Sequence, residues 1–180
     1  MTETVILVLA SGRGQRFVAS GGQGSKLRAL LAGRPVLEHT LAAVRASGLP
    51  WHLEDGGHPG MGDSIAAAVR ATQEAAGWLV LPGDLPLVQP ESLRQVAAAL
   101  AQHEVVVPTY AGETGHPVGF ARACRDELLA LTGALGAGRI VQAHAAAGRR
   151  QLLALADPGI RIDVDTVEDL AAAERLLAQR

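Results

Sequence analysis

The chain has 180 residues, 48% hydrophobic and 19% charged, so it can bury a sizeable core without disulfides or structural metal ions. Its formal charge of −2 and the lack of a basic cluster argue against nucleic acid as a partner. Cys124, the single cysteine, excludes an internal disulfide, and no stretch approaches the roughly 18 apolar residues of a membrane span. We therefore expect a cytoplasmic protein without a membrane partner.

The first predicted element is a strand at residues 4–9, a continuous apolar and β-branched run typical of a strand buried on both faces. A glycine-rich loop follows, in which Gly12 and Gly14 let backbone N–H groups approach an anion closely. Arg13 and Arg16 add positive charge to this loop. The pattern favours a phosphate-binding loop over the alternative, a flexible surface loop.

Lys26, near the end of this loop, is the only lysine; the other basic residues are arginines. Its glycine-rich setting favours the interpretation that this position requires the compact ammonium group of lysine. The alternative is that one lysine remains by chance in a chain whose other basic residues are arginines. Two known phosphate-binding motifs do not fit. The dinucleotide fingerprint needs glycine where Phe17 stands, and the P-loop needs glycine at Ser25.

The middle of the chain alternates between helix and strand patterns. We predict a helix at 35–46, a short strand at 51–54, a helix from 63 or 64 to 75 that Gly77 ends, and a strand at 78–81. A rigid turn with prolines on both sides of Asp84 follows. An aspartate there either forms a turn or helix cap, or binds a metal ion at the edge of the sheet.

The remaining predicted elements are, in chain order, a helix that Pro90 opens, a strand at 105–107, helices at 125–131 and 137–146, a strand at 161–165 and a helix at 167–179. Asp163 and Asp165 would lie on one face of the last strand and converge with Asp84. Alternatively, Asp165 or Thr166 caps the final helix.

The other polar residues indicate less. His116 could line a pocket, whereas His39, His103 and His144 are interpreted as helix-face residues. No pair of histidines has the spacing of zinc ligands. Cys124 is interpreted as a small buried hydrophobe and not as a nucleophile.

The alternation predicts an α/β fold, a three-layer αβα single domain over residues 1–180 with a mostly parallel, Rossmann-like sheet. Ligands in such sheets bind beyond the carboxyl ends of the strands. The loops after Leu9, Leu81 and Val164 should therefore share one rim.

Together these segments resemble the molybdenum cofactor cytidylyltransferases, a branch of the MobA-like NTP transferases. The similar segments, in family order over almost the whole chain, are Leu9 to Gly12 with Arg16 and Lys26, 31–38, 60–64, 83–86, 115–120 and 163–170. The Gly-Met-x-x-Ser element at 60–64 and the Gly-His-Pro-Val element at 115–118 are similar to the cytidylyl branch, as is Ser11, where the guanylyl branch usually has glycine.

The chain departs from the family pattern at three places. Phe17 replaces the usual methionine, and residues 18–24 form an insertion between Arg16 and Lys26. Residues 47–55 are much shorter than the corresponding family segment, so we expect that a strand is missing there, that the nucleotide half is unaffected and that acceptor binding is weakened.

The resemblance implies transfer of CMP from CTP to the terminal phosphate of molybdopterin, with release of pyrophosphate. It implies Lys26, Arg16 and Asp84 as catalytic residues and Mg²⁺ bound by Asp84 and Asp165, with Asp163 in reserve. The nucleotide-binding residues would be Leu9, Ala10, Ser11, Gly12, Gly14 and Ser64. A molybdoenzyme or its chaperone would be the downstream partner. Alternatives are a guanylyltransferase, an enzyme acting on a sugar or polyol phosphate, and a non-catalytic chaperone that binds nucleotide or cofactor.

Overall fold

The computed structural model describes residues 3–12 and 14–179, so Arg13 of the glycine-rich loop lies outside the described residues. The strands are β1 (Thr4–Leu9), β2 (Leu30–Leu31), β3 (Arg34–Pro35), β4 (Trp51–Glu54), β5 (Gly77–Pro82), β6 (Val105–Tyr110), β7 (Glu113–Thr114), β8 (Val118–Ala121) and β9 (Arg150–Ala154). The helices are α1 (Gln15–Ala19), α2 (Val36–Ser47), α3 (Met61–Ala71), α4 (Pro90–Ala99), α5 (Arg125–Leu129), α6 (Gly138–Ala146) and α7 (Val167–Leu177).

The main sheet has the strand order β4-β1-β5-β8-β6, and β6 also pairs with β9 and with the short β7. Strand β1 is parallel to β4 and β5, and β6 is parallel to β9. Strand β8 is antiparallel to both β5 and β6, so β5 and β6 run in the same direction. The predicted α/β fold with a mostly parallel sheet is confirmed.

Helices cover both faces of this sheet. On one face, Ile6, Leu79 and their neighbours pack with residues of α2 and α4. On the other face, Leu7 and Trp78 pack with residues of α3, α5 and α6. Side chains alternate between the faces along a strand, which is why the continuous apolar runs of β1 and β5 supply both layers. Within the described ranges, no helix is long and apolar enough to cross a membrane.

Three predicted details were wrong. Residues 162–165 form no strand; a 3-10 turn at Pro158–Arg161 precedes them. The strand that pairs with β6 at this side is β9, and both β9 and the antiparallel β8 were missed. Helix α3 ends at Ala71, and Gly77 begins β5 instead of ending that helix. The short strand predicted at 51–54 is confirmed as β4, which pairs with β1, and the loss of a further strand beside it stays a prediction.

Thr166, one of the two predicted caps, begins α7. Its side chain accepts a hydrogen bond from the backbone N–H of Asp169, and the Asp169 carboxylate accepts one from the N–H of Thr166. This reciprocal arrangement is a capping box. It satisfies the helix terminus without using the side chain of Asp165, which is therefore left for other contacts.

Candidate active site

The carboxyl ends of the parallel strands border a cleft of about 310 Å³. Six of the predicted site residues line it, namely Leu9, Ser11, Gly12, Lys26, Ser64 and Asp84. The loop after β4 also lines the cleft through His58 and Pro59. The loop that follows the shortened segment therefore borders the nucleotide half of the site, and the expectation that the shortening leaves that half unaffected stays a prediction.

Two residues of the glycine-rich loop are not among those lining the cleft. The backbone N–H of Ala10 donates to the carbonyl of Glu54 at 2.9 Å, which ties this loop to the end of β4. Gly14 has φ +61°, a left-handed conformation that favours glycine, and it begins α1. A Cβ at position 14 would lie 3.5 Å from the backbone nitrogen of Lys26, so this part of the loop is in van der Waals contact with Lys26. Nucleotide binding by these two residues stays a prediction.

Lys26 lies at the centre of the site. Its Nζ is 2.5 Å from Oδ2 of Asp84 and 2.5 Å from Oδ1 of Asp165. Burial, the largest single influence, would lower the pKa of Lys26, but the two carboxylates outweigh it and raise the pKa above its usual value. The ammonium is therefore charged at neutral pH and holds together two carboxylates from distant parts of the chain.

The backbone on each side of Asp84 is fixed by hydrogen bonds. The N–H of Gly83 donates to the carbonyl of Leu9 at 2.9 Å, and the carbonyl of Gly83 accepts from Thr40 Oγ1 at 2.9 Å. The N–H of Val164 donates to the carbonyl of Asp84 at 3.0 Å. A Cβ at position 83 would lie 2.9 Å from Leu37 Cδ1 and 3.1 Å from the carbonyl oxygen of Leu9, so the loop is tightly packed there. These bonds join the loops after β1, β5 and the 3-10 turn.

Asp165 forms ion pairs with two basic side chains. Besides Lys26, it pairs with Arg16, whose Nη1 is 2.6 Å from Asp165 Oδ2. The Arg16 side chain is 78% exposed, whereas that of Asp165 is 16% exposed. Arg16 can therefore swing toward a ligand at little cost, while Asp165 is held in place.

The site residues fit a divalent cation. Asp84, Asp163 and Asp165 each place a carboxylate oxygen within 4.8 Å of the others. Burial raises the pKa of Asp163, and the charges of Asp84 and Asp165 act in the same direction. Asp84 Oδ1 is buried without a hydrogen-bond partner in the described part of the chain. Carboxylate oxygens are the ligands that Mg²⁺ and Mn²⁺ prefer, so a cation would relieve both the mutual repulsion and the unpaired oxygen.

A second cavity, of about 400 Å³, lies on the other side of Lys26 and Asp84. His116 lines it, as the sequence suggested, together with Arg161 and Asp163. Burial lowers the pKa of His116, although the nearby carboxylates oppose this shift, so the ring is neutral at pH 7. Its Nδ1 is buried and has no partner among the described residues. This cavity therefore offers both cationic and neutral polar groups to a second ligand.

Glu54, at the end of β4, makes contacts that were not predicted from the sequence. This side chain is 11% exposed, and its Oε1 lies 3.0 Å from Nε2 of His58. The N–H of Gly56 donates to the same oxygen at 3.0 Å, and His52 Nε2 is 3.5 Å from Oε2. Burial acts against ionisation, but these three contacts together lower the pKa of Glu54. No local pattern in the sequence indicates that a strand-end carboxylate binds a histidine four residues later.

A second cluster, around Cys124, lies at the opposite end of the sheet, beside the amino ends of β6 and β9. Cys124 is fully buried, as predicted, and burial raises the pKa of its thiol to about 12. His144, expected on a helix face, is buried between Glu127, 2.8 Å from Nε2, and Glu104, 3.1 Å from Nδ1. Because of its raised pKa, the Cys124 thiol is protonated at neutral pH and is not poised for nucleophilic attack.

The cleft wall at the start of α3 depends on close backbone contact with the loop after α5. A Cβ on Gly60 would lie 2.0 Å from the carbonyl oxygen of Gly133. We expect Gly60→Ala to lower the free energy of unfolding by about 1–3 kcal/mol, because neither backbone can move freely. Urea denaturation would measure this. Gly138→Ala is the matched control, since nothing lies within 4 Å of a Cβ there; an equal loss in both variants would contradict the prediction.

The family model described as the MobA-like NTP transferase domain matches residues 42–150. Among curated proteins, the bifunctional protein GlmU of Xanthomonas axonopodis pv. citri is 31% identical over 145 aligned residues, and the match covers 67% of this chain and 30% of that protein. The chain thus spans about 30% of the length of this relative.

Among solved structures, Rv0371c of Mycobacterium tuberculosis is 25% identical with a TM-score of 0.78, over 97% of this chain and 98% of that one. A structure of the same protein in complex with manganese has a TM-score of 0.73, at 25% identity over 97% and 99% of the two chains. A nucleotidyl transferase from Methanothermobacter shares the fold at 19% identity, with a TM-score of 0.81 over 100% of both chains.

Proposed function

Because this chain belongs to the family with the MobA-like NTP transferase domain, we propose that it transfers a nucleotidyl group from an NTP to a phosphate-bearing small molecule. Specifically, we propose that CTP is the donor of the nucleotidyl group, that the terminal phosphate of molybdopterin is the acceptor and that pyrophosphate is the second product. The observation that supports it most directly is the position of Lys26, which contacts Asp84 and Asp165 where two cavities meet.

The two cavities match the two substrates of such a reaction. The first cleft adjoins the glycine-rich loop and would hold the nucleotide, with its phosphates toward Lys26. The second cavity, with Arg161 and His116, would hold the acceptor. Both are lined by Lys26 and Asp84, so the reacting phosphates would meet beside these two side chains.

The chemistry needs charge neutralisation more than proton transfer. An oxygen of the acceptor phosphate attacks the α-phosphorus of CTP, and the bond from that phosphorus to the β-phosphate oxygen breaks. The attacking oxygen is already anionic, so no side chain has to remove a proton from it. Catalysis then depends on positioning the two phosphates and on stabilising the negative charge that moves to the leaving pyrophosphate.

Lys26 and Arg16 are two cations placed to stabilise this charge. Arg16 is exposed and free to rotate away from Asp165 toward the β- and γ-phosphates. Lys26 is held by two carboxylates and presents a compact ammonium at the junction of the cavities. A divalent cation bound by Asp84 and Asp165, or by Asp163, would neutralise further phosphate charge, and the manganese complex of Rv0371c is consistent with this.

The size of the first cleft supports CTP over GTP. About 310 Å³ is at the small end of ligand pockets, which suits a pyrimidine better than a purine. Met61, 50% exposed, and Ser11 both line it. The Ser64 hydroxyl already donates to the Gly60 carbonyl at 3.1 Å, so toward a base it can act only as an acceptor.

The test is a screen of the four NTPs with Mg²⁺ or Mn²⁺, in which molybdopterin and sugar or polyol phosphates are offered in turn as acceptors. Pyrophosphate release is the readout. We expect release with CTP and little with GTP. Release with GTP at an equal or higher rate would assign the chain to guanylyl transfer. Turnover only with sugar or polyol phosphates would exclude the molybdopterin acceptor. Tight CTP binding without release for any acceptor would favour a chaperone.

A further inference from the structure

The strand-end carboxylate of Glu54 holds a histidine at the edge of the nucleotide cleft. His58 lines that cleft and its side chain is 30% exposed. Glu54 is almost fully buried, and its backbone carbonyl accepts hydrogen bonds from Ala10 N–H and Ser11 Oγ. The histidine is therefore anchored to the same strand end that carries the glycine-rich loop.

The turn between these two residues is built for this contact. A Cβ at position 56 would lie 2.8 Å from Glu54 Oε1 and 2.9 Å from His58 Nε2, so glycine leaves the room in which the two side chains meet. The N–H of Gly56 binds the same carboxylate oxygen at 3.0 Å. A side chain at this position would separate the pair.

The carboxylate fixes the tautomer of His58. An ionised carboxylate only accepts hydrogen bonds, so in the neutral form of the ring the proton lies on Nε2, 3.0 Å from Oε1. Nδ1 then carries a lone pair and accepts. No described residue makes a hydrogen bond to Nδ1, so this nitrogen is available as an acceptor for a ligand in the cleft that His58 lines.

We propose that His58, oriented by Glu54, selects the nucleobase: its Nδ1 accepts a hydrogen bond from an exocyclic amino group, so that the site binds CTP in preference to UTP. Cytosine carries an amino group where uracil carries a carbonyl, and two acceptors facing each other leave both unpaired. The two bases have the same size, so this preference cannot arise from the volume of the cleft. The inference depends on the proposed function, because it requires a nucleotide in this cleft.

The test measures the dissociation constants of CTP and UTP by calorimetry with Mg²⁺ and without an acceptor. We expect the wild type to bind CTP about tenfold or more tightly than UTP, the range for one hydrogen bond to a substrate group. In His58→Ala and in His58→Phe, which keeps a ring in the cleft wall, the ratio should fall to about one through weaker CTP binding.

Matched variants separate recognition from structure. His52→Ala removes a histidine near the same carboxylate that does not line the cleft, and it should leave the ratio unchanged. Glu54→Gln should lower the ratio partly, because an amide can donate or accept and no longer fixes the position of the ring proton. Glu54 is thus a positioning residue.

The possible outcomes distinguish the two proposals. A wild-type ratio near one, or an equal loss of CTP and UTP affinity in both His58 variants, would overturn the role of His58 and leave nucleotidyl transfer intact. If the wild type binds neither nucleotide, the proposed function itself fails and the inference fails with it.

Discussion

Asp84→Asn is expected to lower kcat by about 10²–10³ while the protein remains folded, because one preorganised charged group is lost from the site. The backbone around Asp84 is fixed by main-chain hydrogen bonds that the substitution leaves in place. Lys26 keeps Asp165 as a partner, and the repulsion among the three carboxylates decreases. Steady-state pyrophosphate release and thermal unfolding would measure the two effects separately.

The control for this prediction is Asp126→Asn, which removes the same charge from an exposed position in the first turn of α5. It should leave kcat within about twofold, because surface substitutions far from a site have small effects. Activity of Asp84→Asn within a few-fold of wild type would remove Asp84 from both the catalytic and the metal-binding roles. Loss of folding in that variant would show that its side chain is structural.

The elements that were predicted well are those whose burial is visible in the local sequence. Strands β1 and β5 are buried on both faces and appear as continuous apolar runs. The Ile-Asp-Val-Asp pattern at 162–165 has the alternation of a strand. Its backbone does not pair with a strand, however, because Val164 N–H donates to the carbonyl of Asp84 in the loop after β5. Strand β9 was missed because its exposure alternates and its Gln-Leu-Leu-Ala sequence fits a helix as well as a strand.

The site was predictable in part for a related reason. Strand ends in a parallel sheet meet at one edge, so the approach of Asp84 to Asp165 followed from the topology, even though the second residue lies on a loop and not on a strand. What joins them, the ammonium of Lys26, depends on an ion pair across 58 and 139 residues of sequence separation, and no local pattern encodes such a pair. The contact of Glu54 with His58 depends in the same way on the path of an irregular loop.

Lys26→Arg is expected to be nearly as damaging as Lys26→Ala, with each lowering kcat/KM by about 10² or more. The Lys26 side chain is 14% exposed, and its Nζ lies 2.5 Å from carboxylate oxygens on two sides. The end of this side chain is thus enclosed by two carboxylates, and a guanidinium is larger and planar. Arginine would have to displace Asp84 or Asp165, and it cannot act as a compact point charge on the phosphates.

Arg16→Lys is the matched comparison for this prediction. Arg16 is exposed and can move, so a shorter cation there should retain much of the activity, whereas the reverse exchange at position 26 should not. The measurement is kcat/KM for CTP in the three variants, with circular dichroism to confirm folding. Full activity of Lys26→Arg would show that any cation suffices at this position, and the single lysine would then need no functional explanation. An Arg16→Lys variant as inactive as Lys26→Arg would place the strict geometric requirement on both cations, contrary to the difference in their burial.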